Sequence, residues 1–400
     1  MQPPLRKNRE FVALWMGGAV SNLGISISSF AYPLVVLGAT GSPGQAGLVG
    51  SVLTATTFFL RIPLGALTDR CDRKRIMVAC DAGRAAASAS LALALGFDGF
   101  HLWHVLLVAF VEGSLGTLFG PSESAAVRLV VAPEQRREAV ARNASRMQVP
   151  SVIGPPIGGV LLSAGRALPF VADAVSYLVS LLAIVTLRTP LHERHDEDGA
   201  TAGGMFEGVR WLWRHAFLRA LLVWMSLQTL VFAGIGLVIV VLARDLGATS
   251  GQLGVLFAIT SAGGLAGAFA TPRLLQSVSP TLLVLGFSWA FAGATFLLLA
   301  VDSPYAIGVV GAIPFFIVPA VGSLLFSTIA AEAHDHLQGR TTAGAIQVAG
   351  LLAPVAPLAA GLLLGTLGAR HTILLYGGFL VLLAIEASLH SNAWRAPPKR

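Results

Sequence analysis

Apolar runs of about 20 residues, parted by short polar islands, recur along the whole chain. A helix of that length crosses the roughly 30 Å hydrocarbon core of a bilayer. Lipid offers the backbone no hydrogen-bond partner, so a crossing segment must satisfy its own N–H and C=O groups, and a helix does so within one segment. A soluble fold needs more charge on its surface, about a quarter of residues in an ordinary globular chain, against 12% of these 400. Hydrophobic residues make up 55%. The pattern predicts an all-α, multi-pass membrane protein. It excludes Rossmann-type enzymes, disulfide-stapled secreted scaffolds, disordered chains and outer-membrane barrels.

The runs resolve into twelve transmembrane helices at about 11–37, 45–67, 75–96, 101–125, 138–164, 167–187, 218–243, 250–272, 279–300, 304–329, 339–365 and 371–391. The first is about 27 residues long with no cleavage site behind a short apolar core, so it reads as a retained helix rather than a signal peptide. Basic residues mark one side. Of 27, 22 fall at the two termini, in the 2–3 loop, at the 4–5 junction, in the 6–7 connection and at the inner ends of spans 8 and 11, while Arg166, Arg244 and Arg370 fall opposite and Arg61 and Arg84 within spans. Arginine and lysine are retained on the cytoplasmic side, which predicts a cytoplasmic-membrane protein with both termini inside.

The chain divides into a six-helix half at 1–187, a cytoplasmic linker at 188–217 and a second six-helix half at 218–400. In the linker, Met205, Phe206 and the run from Val209 to Trp213, with Arg210 and Arg214 between, predict an amphipathic helix on the inner membrane surface. The halves echo one another. Gly44-Gln45-Ala46-Gly47-Leu48 matches Gly251-Gln252-Leu253-Gly254-Val255, and Ala144 to Val149 matches Ala343 to Val348, at a spacing of about 200 residues. Duplicated halves around a site at mid-membrane are the design of many secondary transporters. The three lysines, Lys7, Lys74 and Lys399, follow no glycine-rich loop, so no phosphate cradle for a nucleotide is expected. The two cysteines, Cys71 and Cys80, give no disulfide framework.

The 2–3 loop runs Gly65-Ala66-Leu67-Thr68-Asp69-Arg70-Cys71-Asp72-Arg73-Lys74-Arg75-Ile76. It resembles the signature loop of the major facilitator superfamily, departing at Thr68 and at Asp72, which stands for a glycine and is expected to take left-handed backbone. The resemblance implies a twelve-helix bundle of two pseudo-repeats, with Gly65, Asp69, Arg70 and Arg73 latching the halves at the cytoplasmic side. Span 5 holds Gly154-Pro155-Pro156-Ile157-Gly158-Gly159. That stretch resembles a motif of drug:proton antiporters in the same superfamily, and Gly154, Pro155, Gly158 and Gly159 are accordingly conformational residues of an exporter. The chain as a whole resembles the branch of macrolide-efflux and enterobactin-exporter-like carriers, through Pro121-Ser122, Pro133-Glu134-Gln135 and 170–182.

Ionisable residues inside apolar spans are costly and therefore functional candidates. Glu112 lies about 16 Å into span 4, counted from His101 at about 1.5 Å per residue. Burial penalises the charged form of a carboxyl, which suits a group that loads and releases a proton. Glu112 and Asp173, the latter two turns into span 6, are the proton-coupling candidates. Where the family's antiporters often carry arginine one turn earlier, this chain has Ala109. Arg61, Asp81 and Arg84 are expected to cluster and hold spans 2 and 3 together, while Glu123 and Glu386 are placed at inner ends.

The superfamily's cavity is lined mainly by spans 1, 4, 7 and 10. That makes Asn22, Tyr32, Glu112, Gln228 and Phe232 the substrate-binding candidates, with Phe315 and Phe316 as an aromatic wall. His101-x-x-His104 lacks a third ligand, so no metal is expected. The expectation is a secondary active transporter, not an enzyme. It exports a small amphipathic or hydrophobic compound by proton antiport and alternating access, with the proton gradient in place of any cofactor. Its partners are the small molecule and the lipid bilayer, with no nucleic acid, and it acts as a monomer. An uptake carrier of the same fold and a non-transporting receptor or scaffold are the alternatives. A membrane enzyme would need a paired catalytic constellation, and none is seen.

Overall fold

A computed structural model describes residues 5–68, 72–189 and 202–394, and the described chain is helical with no strands. The first six long helices are α1 (Arg9–Thr40), α2 (Pro43–Thr68), α3 (Arg73–Gly96), α4 (Leu102–Val130), α5 (Arg136–Ala164) and α6 (Leu168–Val185). A short helix follows, α7 (Ala202–Arg214). Then come α8 (Ala216–Asp245), α9 (Ser250–Ser277), α10 (Pro280–Leu297), α11 (Pro304–Glu332), α12 (Asp335–Ala349) and α13 (Ala356–Leu389). Nine of the described helices are long and apolar enough to cross a membrane by length and composition. In α5 only Val149–Ala164 is continuously apolar, because its first half carries the arginines.

The ends of these helices follow from local chemistry. Asn8 caps α1 by accepting from the Phe11 amide, and its own amide donates to the Val130 carbonyl at 2.7 Å, tying α1 to the end of α4. Gly41 closes α1 with φ 65°, a conformation that favours glycine. Asp72 corrects an expectation. Its backbone is extended (φ −62°, ψ 113°), because it is the N-cap of α3, accepting from the amides of Lys74 and Arg75. A carboxylate at this place also faces the positive end of the helix dipole. Lys74 Nζ donates to the carbonyls of Val185 (3.1 Å) and Leu187 (2.7 Å), holding the C-terminal end of α6 beside the start of α3.

The span expected at 339–365 is divided. α12 ends at Ala349, turns follow, and α13 begins at Ala356. Pro354 lies in that break and Pro357 in the first turn of α13, and proline removes an amide donor. α13 then bends sharply at Gly368 (φ 75°), between the last two expected spans.

The chain forms two compact units. The first holds α1, α2 from Val52, α3 to α6, and the segment Thr249–Gly254 at the start of α9. The second holds Ser42–Ser51, α7, α8, α9 from Val255, and α10 to α13. Within the second unit α7 turns its apolar side onto α12. Leu212 is fully buried, Val209 lies against Gly344, and Glu207 pairs with Arg340 at 2.8 Å. Trp213 stays exposed between exposed Arg210 and Arg214.

Candidate functional site

The interior of the first unit carries charge. Among the described residues the buried charged side chains are Arg73, Asp81, Arg84, Glu112, Glu123, Arg146 and Asp173, and all belong to this unit. The buried polar side chains of the second unit are serines, threonines and Gln228. The two interiors are therefore chemically unlike, although the sequence repeat relates them.

Four helices bring the acids of the first unit together. Tyr32 on α1 donates its hydroxyl to Glu112 Oε2 on α4 at 2.8 Å, and its ring meets Phe170 on α6 edge-on at 5.0 Å. Ser88 on α3 donates to the Phe170 carbonyl (3.2 Å) and to Asp173 Oδ2 (3.4 Å). Asp173 is fully buried and Glu112 is 8% exposed. Ser28 and Ser88 hydroxyls lie near these acids, yet Glu112 Oε1 and Asp173 Oδ1 are left without a well-formed hydrogen bond. Asp173 Oδ1 faces Gly24 of α1, where a Cβ would stand 2.8 Å away. A buried carboxylate short of partners is unfavourable.

One turn away lies a second layer. Arg84 pairs with Asp81 on α3, and both are buried. The Arg84 guanidinium stands 4.5 Å from the ring centroids of Phe119 on α4 and Tyr177 on α6. Arg61 does not join them, because it sits on the exposed side of α2. Equal depth along two helices does not make two side chains face each other. A third pair was not foreseen: Arg146 Nη1 bonds Glu123 Oε1 at 2.7 Å and also reaches the carbonyls of Leu14 (3.3 Å) and Trp15 (3.4 Å).

The glycines of span 5 have separate tasks. A Cβ on Gly154 would stand 2.5 Å from Ser26 Cβ, and one on Gly158 would stand 2.9 Å from Phe30 Cδ1 and 3.1 Å from the Ile27 carbonyl. These two glycines, four residues apart, let α5 press on α1. Gly159 faces the Ser250 carbonyl, 2.5 Å from its built Cβ, and Gly254 faces the Pro155 carbonyl at 2.6 Å. The repeat reproduces this at the start of α2, where Gly47 faces the Pro357 carbonyl and Gly361 the Pro43 carbonyl. The Gly-Gln-x-Gly pairs thus mark two equivalent close backbone crossings. Gly158→Leu is expected to cost about 1–3 kcal/mol by overpacking, seen as a lower thermal midpoint in detergent. Gly293→Leu, at a glycine with open space beside it, should leave that midpoint in place.

In the second unit Gln228 is 3% exposed and neither its amide oxygen nor its nitrogen has a partner. Gln228, Phe232, Ile235 and Ile239 recur at helical spacing on one side of α8. Phe232 packs on Phe315 at 4.8 Å and Phe291 at 6.0 Å. Phe291 and Phe315 continue, with Ile235, Ile239 and Pro314, into a pocket whose lining is apolar apart from Thr295. Asn22 is half-buried, ten residues along α1 from Tyr32 and outside the acid cluster. Glu386 is exposed beside His390 at 3.3 Å. Gly65 lies in α2 and Arg73 is buried at the start of α3, while Asp69 and Arg70 lie outside the described residues.

An all-helical chain with a duplicated plan and buried acids in its apolar spans defines a membrane carrier. The sequence profile of the Major Facilitator Superfamily matches residues 14–354, and the chain belongs to that family. It is a transporter rather than an enzyme. It is 24% identical to macrolide efflux protein A of Streptococcus pyogenes over 390 residues, covering 94% of each chain. It is 24% identical to the enterobactin exporter EntS of Salmonella typhi over 330 residues, covering 82% of this chain and 76% of that one. The match to the MFS-type transporter YkuC of Bacillus subtilis, 27% identical, spans 47% of this chain and 44% of YkuC. Among solved structures, a bacterial homologue of the lysosomal transporter Spinster aligns over 100% of both chains with a TM-score of 0.75 at 16% identity. The nucleoside transporter NupG aligns over 95% of this chain and 99% of its own with a TM-score of 0.77 at 12% identity. These structural likenesses speak to the fold.

Proposed function

We propose that the protein is a proton-coupled exporter of a small amphipathic or hydrophobic compound in the cytoplasmic membrane. The observation that carries this is the Tyr32–Glu112 pair beside Asp173, two acids buried across α1, α3, α4 and α6. Each acid is neutral when protonated and unfavourable when ionised. Proton loading is therefore coupled to the packing around them, as antiport requires. The apolar second interior, with Gln228 and Phe232, grips an uncharged body that carries a hydrogen-bonding group, because the unpartnered amide is satisfied only by such a ligand. Within the first unit, Asn22 and Tyr32 line a substrate path. The close crossings at Gly154, Pro155, Gly158 and Gly159, and the loop with Gly65, Asp69, Arg70 and Arg73, are the elements that open and close it.

Export is favoured by the relatives named as macrolide and enterobactin exporters, and by the Gly-Pro stretch. Both termini then lie in the cytoplasm, on the side of the arginines. The test is transport of radiolabelled erythromycin into inverted membrane vesicles under a proton gradient. Accumulation abolished by a protonophore supports antiport export. Accumulation in right-side-out vesicles would make the protein an uptake carrier, and gradient-independent equilibration would remove the proton from the mechanism.

A further inference from the structure

The sequence predicts that α7 lays its apolar side on the membrane, yet in the structure that side is spent on α12. Leu212 is fully buried, Val209 lies against Gly344, and Gly208 stands so close to the Arg340 carbonyl that a built Cβ would overlap it. Contacts this close fix the roll of α7 and hold its other side outward. That side carries Arg210, with Trp213 and Arg214 three and four residues on, so the three share one face. All are exposed, Trp213 at 43%.

The chain turns directly after this face. His215 is extended (φ −94°, ψ 108°), and α8 begins at Ala216. α8 is long and apolar enough to cross a membrane, so the end of α7 lies where the chain enters the bilayer, at the level of the lipid headgroups. Arg219, exposed in the first turn of α8, reaches back and donates from Nη1 to the Trp213 carbonyl at 3.2 Å. His215 Nδ1 lies 2.9 Å from the Trp211 carbonyl, and the two rings pack with centroids 3.8 Å apart. The corner thus holds three guanidinium groups around one exposed indole. Among the described residues no acid pairs with Arg210, Arg214 or Arg219, and Glu207 of α7 is engaged by Arg340 at 2.8 Å. Elsewhere exposed arginines are answered, as Arg142 is by Glu138. The acidic run of the linker, Glu193, Asp196, Glu197 and Asp198, lies outside the described residues. It precedes the opposite end of α7, which is about 18 Å along the helix from Arg214.

Guanidinium groups match phosphate in shape and charge, and tryptophan settles at the headgroup level of a bilayer. With its apolar side committed to α12, α7 has no hydrophobic face to insert, so charge is what selects the lipid beside it. We propose that the corner between α7 and α8 binds the headgroup of an acidic phospholipid such as phosphatidylglycerol. Arg210 and Arg214, one turn apart, engage the phosphate. Arg219 adds charge behind them, and the Trp213 ring lies against the glycerol and the first methylenes. The bound lipid fastens α7, and α12 through it, to the membrane. The site needs only that α8 crosses a bilayer, whichever way the carrier moves its cargo.

The full-length protein is reconstituted in phosphatidylcholine bilayers that contain a minor fraction of lipid spin-labelled high on its chain, either phosphatidylglycerol or phosphatidylcholine. Quenching at Trp213 is read as the fluorescence difference between the wild type and Trp213→Phe. Phosphatidylglycerol should associate there at least about fivefold more strongly than phosphatidylcholine, the effect of a single arginine near a charged surface. The preference should vanish in Arg210→Gln/Arg214→Gln. Molar chloride should remove most of it, because it screens exposed charges beyond about 3 Å. Equal quenching by the two lipids in the wild type overturns the proposal even where the double variant fails to fold, and so does a preference that the double variant keeps. A preference that inorganic phosphate removes at an ionic strength where chloride does not would make the corner a site for a free anion and overturn the lipid. A preference that emerges only when Glu193, Asp196, Glu197 and Asp198 are changed to their amides would mean that the linker's own acids occupy the arginines, which overturns it too.

Discussion

Glu112→Gln removes proton-driven efflux and leaves a folded protein. The substitution keeps size and shape, and the glutamine Oε1 still accepts from the Tyr32 hydroxyl that bonds Glu112 Oε2 at 2.8 Å. The stability change should stay within about 1 kcal/mol, the worth of one neutral hydrogen bond. What is lost is the only titratable group on this stretch of α4, since position 109 is alanine. In vesicles the wild type should respond to the pH gradient and to a protonophore, and the variant to neither. Passive exchange of substrate across the membrane should survive, because no apolar contact of the second unit is touched. Wild-type accumulation by the variant would remove Glu112 from coupling and leave Asp173 as the sole candidate, for which Asp173→Asn is the matching experiment.

The depth of Glu112 was legible in the sequence because it needs only a helix start and a rise per residue, and α4 does begin directly after His101. Asp173 was legible for the same reason. Their partners were not. Tyr32 and Glu112 are 80 residues apart in the chain, and nothing local encodes which faces of α1 and α4 meet. Arg61 shows the same limit from the other side, since its depth was right for a pair with Asp81 and its direction around α2 was not. Ser88, Phe119 and Tyr177 carry no signal as single residues. Ser88 and Tyr177 become visible only as one-turn neighbours of Arg84 and Asp173, and Phe119 only as the residue two turns along α4 from Glu112. Asp72 was misjudged because a glycine-replacing residue was assumed to need glycine's backbone, whereas an acid before a helix is first an N-cap. The break at 350–355 was hidden by unbroken hydropathy, although Pro354 and Pro357 pointed to it.

Arg146 was counted with the cytoplasmic anchors, yet α5 begins at Arg136 and carries Arg146 about 15 Å along the helix. The consequence is large for stability. Glu123→Ala is expected to destabilise the protein by about 3–5 kcal/mol, the cost of leaving a buried charge without its partner. Arg146 is 4% exposed, and after the change only the carbonyls of Leu14 and Trp15 remain to it. It has no room to withdraw along α1. Gly18 lies against it so closely that a Cβ there would stand 2.7 Å from Arg146 Cζ and 2.5 Å from Glu123 Oε1. Removing both charges with apolar residues of similar size, as in Glu123→Leu/Arg146→Met, should recover most of the loss, because neither partner then needs solvation. Thermal unfolding in detergent, followed by intrinsic tryptophan fluorescence, would measure the three proteins side by side. A single variant as stable as the wild type would mean that water or lipid headgroups reach Arg146, which would make this pair part of an opening path rather than a fixed joint between α1, α4 and α5.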